Sequence, residues 1–457
     1  MLLASCVFYC AFIPIYILIL LFTIIVDYIA GIYIEKNEGS RRKFFLVLSI
    51  IVNLGALCIF KYYNFFIDNV NVLLHSVFHT KGNFPLLNII LPIGLSFHTF
   101  QAMSYTIEVY RNNQKAERHL GIYALYVMFY PQLVAGPIER PQHILPQLHQ
   151  EHPLKYENII SGLRIMLLGY FKKAVVADRL AIFTDPVFNH PKNYPAEMLV
   201  IATVFFSVQL FCDFSGYSDI AVGTARVLGI QLMQNFNFPY ISKNITEFWR
   251  RWHISLSSWL NDYLFTPIAI AKRNWGKWGV VYSMLITFTL IGLWHGAKWT
   301  YVIFGLLHGI AVAIEFLTKK WRKKVSNAIP SFVYAIGSIF LTFLFWNFTQ
   351  IFFRALSVEQ AIYIVKKVPE GVTHLPRFFF HPKLYLADIH ITNVEFAITC
   401  AVIAATLLNE FIQYKQNISF LINKQPILIR WLVYYSIVLV IIALGVFENR
   451  QFIYFQF

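Results

Sequence analysis

The chain has 457 residues, 58% hydrophobic, 18% aromatic and 13% charged, with mean hydropathy +0.57. Soluble domains carry about 25% charged and 45–50% apolar residues, so this composition excludes a disordered chain, a collagen, an ordinary soluble enzyme and a small disulfide scaffold, and selects a multi-pass membrane protein. The net charge of +15 comes from short basic clusters between apolar runs, a pattern of positive-inside topology and anionic headgroups and not of nucleic-acid binding.

A bilayer crossing takes about 20 apolar residues. The first run, 8–32, is too long and too aromatic for a signal-peptide core and has no A-x-A-like site after it, so it reads as a retained span. Lys36, Arg41, Arg42 and Lys43 put its far end on the cytoplasmic side. Further runs follow at 44–60, 86–108, 120–134, 159–176, 198–222, 280–294, 300–317, 332–352, 394–411 and 428–447. The expectation is an all-α polytopic membrane protein with about eleven transmembrane helices. Strand-like alternation is missing, which argues against a β-barrel. Lys319, Lys320, Arg322, Lys323 and Lys324 mark a second cytoplasmic loop. The stretch 354–392, with Pro369, Pro376 and Pro382, reads as an amphipathic or irregular surface segment. Cys6, Cys10, Cys58, Cys212 and Cys400 lie in or beside apolar runs and read as small buried hydrophobes. No internal repeat or flexible linker interrupts the chain, so one membrane domain over 1–457 is the simplest organisation.

Residues 235–270, NFNFPYISKNITEFWRRWHISLSSWLNDYLFTPIAI, do not fit the span pattern. A helix start is expected near Asn244–Thr246. At 100° per residue, Phe248, Trp252, Leu256, Trp259 and Tyr263 fall on one side; Arg250, His253, Ser257 and Asn261 fall on the other. Two readings fit: a helix lying in the interface plane, or a re-entrant helix whose polar stripe lines a wet cavity. Pro267 and the basic Lys272, Arg273 and Lys277 hold the following end at a headgroup surface.

Ionisable groups at membrane depth are costly and are functional candidates by default. Asp27 lies near the end of the first run and is expected to reach the interface. His98 reads as an inter-helix hydrogen-bonding residue. Asp213 and Asp219 flank FSGYS and lie nearly opposite on a straight helix, which does not support a paired-carboxylate acid/base site. Backbone N–H groups and the Arg250/Arg251 pair are equal alternatives as their partners. In IGLWHGA, residues 291–297, His295 ends an apolar run between Trp294 and Gly296. Gly292 and Gly296 have small-xxx-small spacing. The run is either a packing motif or the seat of a neutral imidazole that accepts a proton near neutral pH. His308 is a weaker candidate.

EFWRRWHISLSSWLNDYLF followed about forty residues on by GLWHGA resembles the membrane-bound O-acyltransferase (MBOAT) family, in the branch of the alginate O-acetylation membrane protein, with the D-alanyl transfer protein of teichoic-acid modification a more distant cousin. KYYNFF, LPIGLSFHTFQAMSYTIEVYR, FYPQLVAGPIERP, GLRIMLLGYFKKAVVADRLA and QLFCDFSGYSDIAVG carry the same resemblance from about Asp27 to His308; it is weak beyond Pro330. Members of the branch usually begin with one more apolar helix than this chain shows, which bears on span count and N-terminal side. The resemblance implies acyl transfer to a hydroxyl. It also implies a ring of helices around a thin centre where a cytoplasmic and an extracytoplasmic funnel meet, with re-entrant or interfacial helices among them. By motif position His295 matches the family's central histidine and His253 the second histidine of the branch.

An ester-forming step needs a hydroxyl made nucleophilic and a carbonyl oxygen stabilised. His295 is expected as general base and His253 as a proton shuttle or acyl-orienting group. Arg250 and Arg251 are expected to attract donor phosphates. Trp252, Ser257, Asn261, Asp213, Asp219 and Trp294 complete the expected substrate-binding set. No metal or bound cofactor is expected; the donor is acetyl-CoA or a similar acyl thioester. The expected setting is a bacterial inner membrane. The expected partners are membrane lipid, an extracytoplasmic acyltransferase and a polysaccharide acceptor. A polytopic transporter or flippase using the same histidines and aspartates as relays is the main competing reading; a scaffold for polysaccharide export is a third.

Overall fold

The computed structural model describes residues 1–79, 83–134, 136–415, 424–448 and 451–453. Among these the secondary structure is helical, with one isolated β-bridge between Phe236 and Trp252. Eight helical stretches are long and apolar enough to cross a membrane, fewer than the sequence runs suggested. The run 8–32 is interrupted: α1 (Leu2–Cys10) stops before a 3-10 turn at Pro14–Tyr16, and α2 (Ile17–Lys36) follows. Pro14 cannot donate a helical hydrogen bond. The next span is longer than expected, because α3 (Gly39–Leu57), a π-turn at Cys58–Tyr62 and α4 (Tyr63–Phe78) form one 40-residue stretch.

Two expected spans are short helices instead. The run 86–108 yields α5 (Leu95–Tyr110), and 120–134 yields α6 (Leu120–Met128) and the single turn α7 (Tyr130–Leu133). After α8 (Pro141–Leu148), the run 159–176 lies within one continuous helical stretch made of α9 (Tyr156–Tyr170), a π-turn at Phe171–Ala177 and α10 (Asp178–Asn189). At 1.5 Å per residue α5 and α6 reach only about 24 and 14 Å, short of a hydrocarbon core of about 30 Å. Their apolar content, nearly all of it buried in α5 and α6, serves the protein core.

The chain divides into two compact units. The first comprises Met1–Leu163 and Ala221–Gln234. Its core gathers Tyr105, Tyr123 and Tyr126, whose ring centroids lie 4.5–6.4 Å apart. Asp27 does not reach an interface: it is fully buried and accepts hydrogen bonds from Ser49 Oγ at 2.6 Å and Asn53 Nδ2 at 2.9 Å. This joins α2 to α3 through two hydrogen bonds to a buried carboxylate inside the core. His98, on α5, is buried, and neither ring nitrogen has a hydrogen-bond partner among the described residues, contrary to the expected inter-helix bond.

The second unit comprises Arg164–Ile220 and Asn235–Phe457. It holds α10 (Asp178–Asn189) and most of α11 (Ala196–Val227). Three short helices follow: α12 (Ile245–Arg251), α13 (Ile254–Leu260) and, after a π-turn at Asn261–Phe265, α14 (Thr266–Ala271). Then come the antiparallel pair α15 (Lys277–His295) and α16 (Trp299–Leu317). The basic cluster after α16 forms a helix, α17 (Lys319–Ala328), not a loop. α18 (Ser331–Arg354) returns along α16. The segment beyond it is mostly one amphipathic helix, α19 (Val358–Phe380), with Pro369 and Pro376 inside it, then α20 (Pro382–Leu386). α21 (Asn393–Lys415) and α22 (Ile427–Leu444) complete the unit.

Glycines let α15 and α16 approach closely. A Cβ on Gly292 would stand 2.9 Å from the Tyr301 carbonyl carbon and 3.0 Å from the Gly305 amide nitrogen. Of the Gly292/Gly296 spacing read from the sequence, Gly292 packs the helix pair, whereas Gly296 lies just past the end of α15 in extended backbone, against the Tyr301 ring.

Candidate active site

The segment 235–270 is built as three short helices because α12 and α13 are broken apart at Trp252–His253. Asn244 caps α12, its Oδ1 accepting from Glu247 N at 2.8 Å, which is the start the sequence signalled. Glu315 of α16 holds the same end, accepting from Ile245 N at 2.7 Å and Thr246 N at 3.0 Å; a carboxylate there also suits the helix dipole. At the other end Trp252 is extended and bridges to Phe236, with Asn237 N donating to Arg251 O and Ile254 N donating to Asn235 O. This pairing replaces a continuous helix. His253 takes a left-handed backbone, φ 46°, unusual for a residue with a side chain and a form of strain found at functional sites.

The break re-sorts the expected polar stripe. Arg250, Ser257 and Asn261 line one cavity of about 490 Å³. His253 leaves that face and is fully buried. Its ring packs edge-on against Phe214 at 4.7 Å and lies 5.8 Å from Trp294. Burial pushes the His253 imidazole down to about 3, so the ring is neutral at physiological pH. His295 ends α15 and is 3% exposed. Its ring lies 5.1 Å from Trp294 and 5.3 Å from Phe353 of α18. One indole thus contacts both histidines.

The cavity has a polar side and an apolar side. Thr246, Arg250, Ser257, Ser258 and Asn261 supply the first. Met284, Phe288 and Ile291 of α15, facing Trp249, supply much of the second, with Thr287 between them. On α15 the positions 287, 291 and 295 follow one another at i, i+4; Thr287 and Ile291 line the cavity, and His295 is the next position of that row, beyond the lining.

The other expected residues lie elsewhere in the unit. Arg251 is held by Glu247, Nε to Oε1 at 2.9 Å, donates to Asn237 O and lies over the Tyr414 ring. Trp252 is a core side chain, 1% exposed, packed on Phe236, Phe248 and Trp346. Asp213 pairs with Lys173 at 2.7 Å and accepts from Ile453 N at 2.8 Å, so its partners are a lysine and a backbone N–H, not arginines. Asp219 pairs with Lys172 at 3.0 Å. Lys173 also reaches Asp178, and with Arg354 these groups line a second cavity of about 110 Å³. His308 is satisfied on both nitrogens, by Trp249 Nε1 at 3.2 Å and Thr349 Oγ1 at 3.1 Å, a structural role.

A profile of the membrane-bound O-acyltransferase family matches residues 81–358, more than half the chain and all of the region just described. The chain belongs to the membrane-bound O-acyltransferase family. It is 35% identical over 392 residues to a peptidoglycan O-acetyltransferase of Helicobacter pylori, covering 80% of this chain and 72% of that protein. It is 36% identical over 368 residues to a probable alginate O-acetylase of Pseudomonas aeruginosa, covering 79% and 67%. It is 30% identical over 276 residues to a teichoic acid D-alanyltransferase of Bacillus subtilis, covering 58% and 69%. This O-acyltransferase is therefore a multi-pass membrane enzyme with bacterial relatives named for acetyl or D-alanyl transfer.

Sequence reasoning missed several groups in this enzyme. Lys172 and Lys173 sat inside a run read as apolar; two lysines at membrane depth were themselves a signal that Asp213 and Asp219 needed cations. Glu315 carried the same signal near the end of its run. Thr287 gave none beyond its place on the row that ends at His295.

Proposed function

We propose that this enzyme moves an acetyl group from a cytoplasmic thioester to a hydroxyl of an extracytoplasmic envelope polysaccharide, alginate-like or peptidoglycan-like, with a partner acyltransferase completing delivery. The carrying observation is the Trp294 indole against both His253 and His295, with a cavity lined by α15 as far as Ile291, one turn before His295. Lys272 and Arg273 before α15, Lys277 at its start and the basic α17 after α16 support a cytoplasmic side for those ends. α15 then runs outward, and His295 stands at its outer end. The donor enters from the cytoplasm, its phosphate near Arg250 and its thioester toward His295.

In this reading His295 accepts the hydroxyl proton while the oxygen attacks the acyl carbonyl. The carbonyl carbon–oxygen ester bond forms, the carbon–sulfur bond breaks, and the thiolate takes the proton back from the imidazolium. His253, neutral and pinned by Phe214 and Trp294, orients the acyl group or passes the proton. Ser257 and Asn261 supply hydrogen bonds along the donor path. The ion pairs of Asp213 and Asp219 hold α11 to the segment bearing Lys172 and Lys173. Membrane lipid contacts the spans and α17.

The test is ester-linked acetate on surface polysaccharide in cells carrying wild type, H295A or H253A protein at matched membrane levels. Loss of acetate with intact polymer export supports the reading. Full acetate in H295A cells removes His295 from the chemistry.

A further inference from the structure

The 40-residue stretch made of α3, the π-turn and α4 is about twice as long as a crossing needs. Its basic start, Arg41, Arg42 and Lys43, suits the cytoplasmic headgroups. From Lys43 the helix rises about 28 Å to Lys61, Tyr62 and Tyr63, a lysine and aromatic group of the kind that marks the opposite interface. α4, with 16 residues, then adds about 24 Å beyond it. Asn64, Asp68, Asn69, Asn71, His75 and Ser76 suit that aqueous position. The two faces of α4 are used unequally. At 100° per residue Asn64, Asp68, Asn71 and His75 share one face, and the chain's own segment 83–87 lies against it. Asn71 Oδ1 accepts from Phe84 N at 2.8 Å and its Nδ2 donates to Phe84 O at 3.1 Å. Asn64 makes the same two bonds with Leu87, both at 2.8 Å, and His75 Nε2 meets Asn83 Oδ1 at 2.5 Å. Phe66, Val70, Leu73 and Val77 lie within about 60° of one another on the opposite face. They are 52%, 39%, 51% and 58% exposed, and α4 buries no side chain. Single exposed apolar residues are ordinary, whereas a continuous stripe of them outside the membrane marks an interaction surface.

We propose that α4 is a pairing element: two copies of this chain in one membrane join their α4 helices through Phe66, Val70, Leu73 and Val77 as a parallel two-stranded coiled coil. The spacing is that of a heptad seam, with Val70 and Val77 at a and Phe66 and Leu73 at d. In parallel coiled coils, β-branched residues at a with leucine at d favour two strands. Copies inserted the same way send their α4 helices out in the same direction, so the membrane itself imposes the parallel arrangement. A two-fold axis then sets each seam residue against its own copy. The flanking positions, Ile67 and Leu74 at e and Asn69 and Ser76 at g, carry no charge, so a second copy meets no like-charge repulsion there. Two heptads make a short seam in free solution; confinement of both copies to one membrane raises their effective concentration and offsets this. The height of α4 above the hydrocarbon core disfavours lipid as the cover. The polar face stays with segment 83–87, on the side of the helix away from the seam. The proposal does not depend on the acyl-transfer reading.

The experiment is cysteine cross-linking of the full-length protein in membranes of cells that carry two differently tagged copies. L73C places a thiol at a d position, where a parallel pair brings the Cα atoms within the roughly 7 Å that a disulfide allows. V72C, the preceding residue and 66% exposed, stands off the seam and controls for accessibility. Wild type, with Cys58 exposed on the same helical stretch, gives the background of the native cysteines. The expected result on mild oxidation is a dimer holding both tags from L73C, and little above background from V72C. Adding V77E to L73C buries a carboxylate in the seam and should cut the dimer about tenfold or more, whereas adding V72E should leave it. Equal cross-linking of L73C and V72C means random collision and overturns the inference. So does L73C/V77E protein that is present at the level of L73C and cross-links as well. An L73C product that joins this chain to a different protein assigns the seam to that protein and overturns it too, as does the lack of any L73C product.

Discussion

Gly292→Ala adds one methyl group where α15 meets α16, and its effect follows from the packing. The new Cβ would lie 2.9 Å from the Tyr301 carbonyl carbon and 3.0 Å from the Gly305 nitrogen, and nearer still to the Tyr301 carbonyl oxygen. All three are backbone atoms, so no side chain can swing aside. Ordinary contacts with carbon need roughly 3.5–4 Å, so the helices must part by about 1 Å. Overpacking of this kind costs about 1–3 kcal/mol. The helix propensity gained by replacing glycine offsets at most about 1 kcal/mol of it. His295 stands three residues further along the same helix and moves with it. A displacement near 1 Å at a reacting group costs about 100-fold in rate. G292A should therefore melt at lower temperature in detergent and lose most polysaccharide acetylation at matched membrane levels. Gly337→Ala on α18 is the control, since a Cβ there meets nothing within 4 Å; it should match or exceed wild-type stability. Wild-type melting and acetylation in G292A, or an equal loss in G337A, would refute the reasoning.

Three further outcomes follow from buried polar groups. Asp27→Ala removes the acceptor for Ser49 and Asn53 and should lower stability by about 1–3 kcal/mol, read as a melting shift; S49A should cost less, and the reverse order contradicts the network. Lys173→Met strands the buried carboxylate of Asp213 and should cost about 3–5 kcal/mol. The double variant K173M/D213N should recover part of that in the same melt; no recovery places the loss elsewhere. His253 lies outside the eight candidate spans and is held near pKa 3 by burial, below the unfolded value of about 6.5. The unfolded chain therefore binds the extra proton first, so the stability is intact above pH 6.5 and falls as pH drops toward 3, by about 1.4 kcal/mol per unit. H253Q should show a shallower acid loss in melting from pH 7 to pH 5; parallel curves would exclude His253 as the source.

What the sequence yielded and what it withheld separate along one physical line. Periodicity at 100° grouped Arg250, Ser257 and Asn261, and the structure puts them on one cavity because each short helix keeps that period locally. The cap at Asn244 and the glycine contact at Gly292 are likewise written in a few adjacent residues. The break at Trp252–His253 is not. It comes from a distant strand-like segment, Asn235–Asn237, competing for the backbone groups of Arg251 and Ile254. Nothing in residues 244–261 taken alone says that those groups will be claimed from outside. The excess of expected spans has a related cause. Apolar composition says that a helix avoids water, and α5 and α6 avoid it inside the protein, so only their length separates core from span. The candidate site sits where both kinds of information meet. α15 supplies a regular row that leads to His295, whereas His253 reaches Trp294 only because the regular row beside it is broken. A continuous helix would keep His253 on the face with Arg250 and Ser257, among the polar groups lining the cavity, and the indole would then have one imidazole beside it instead of two.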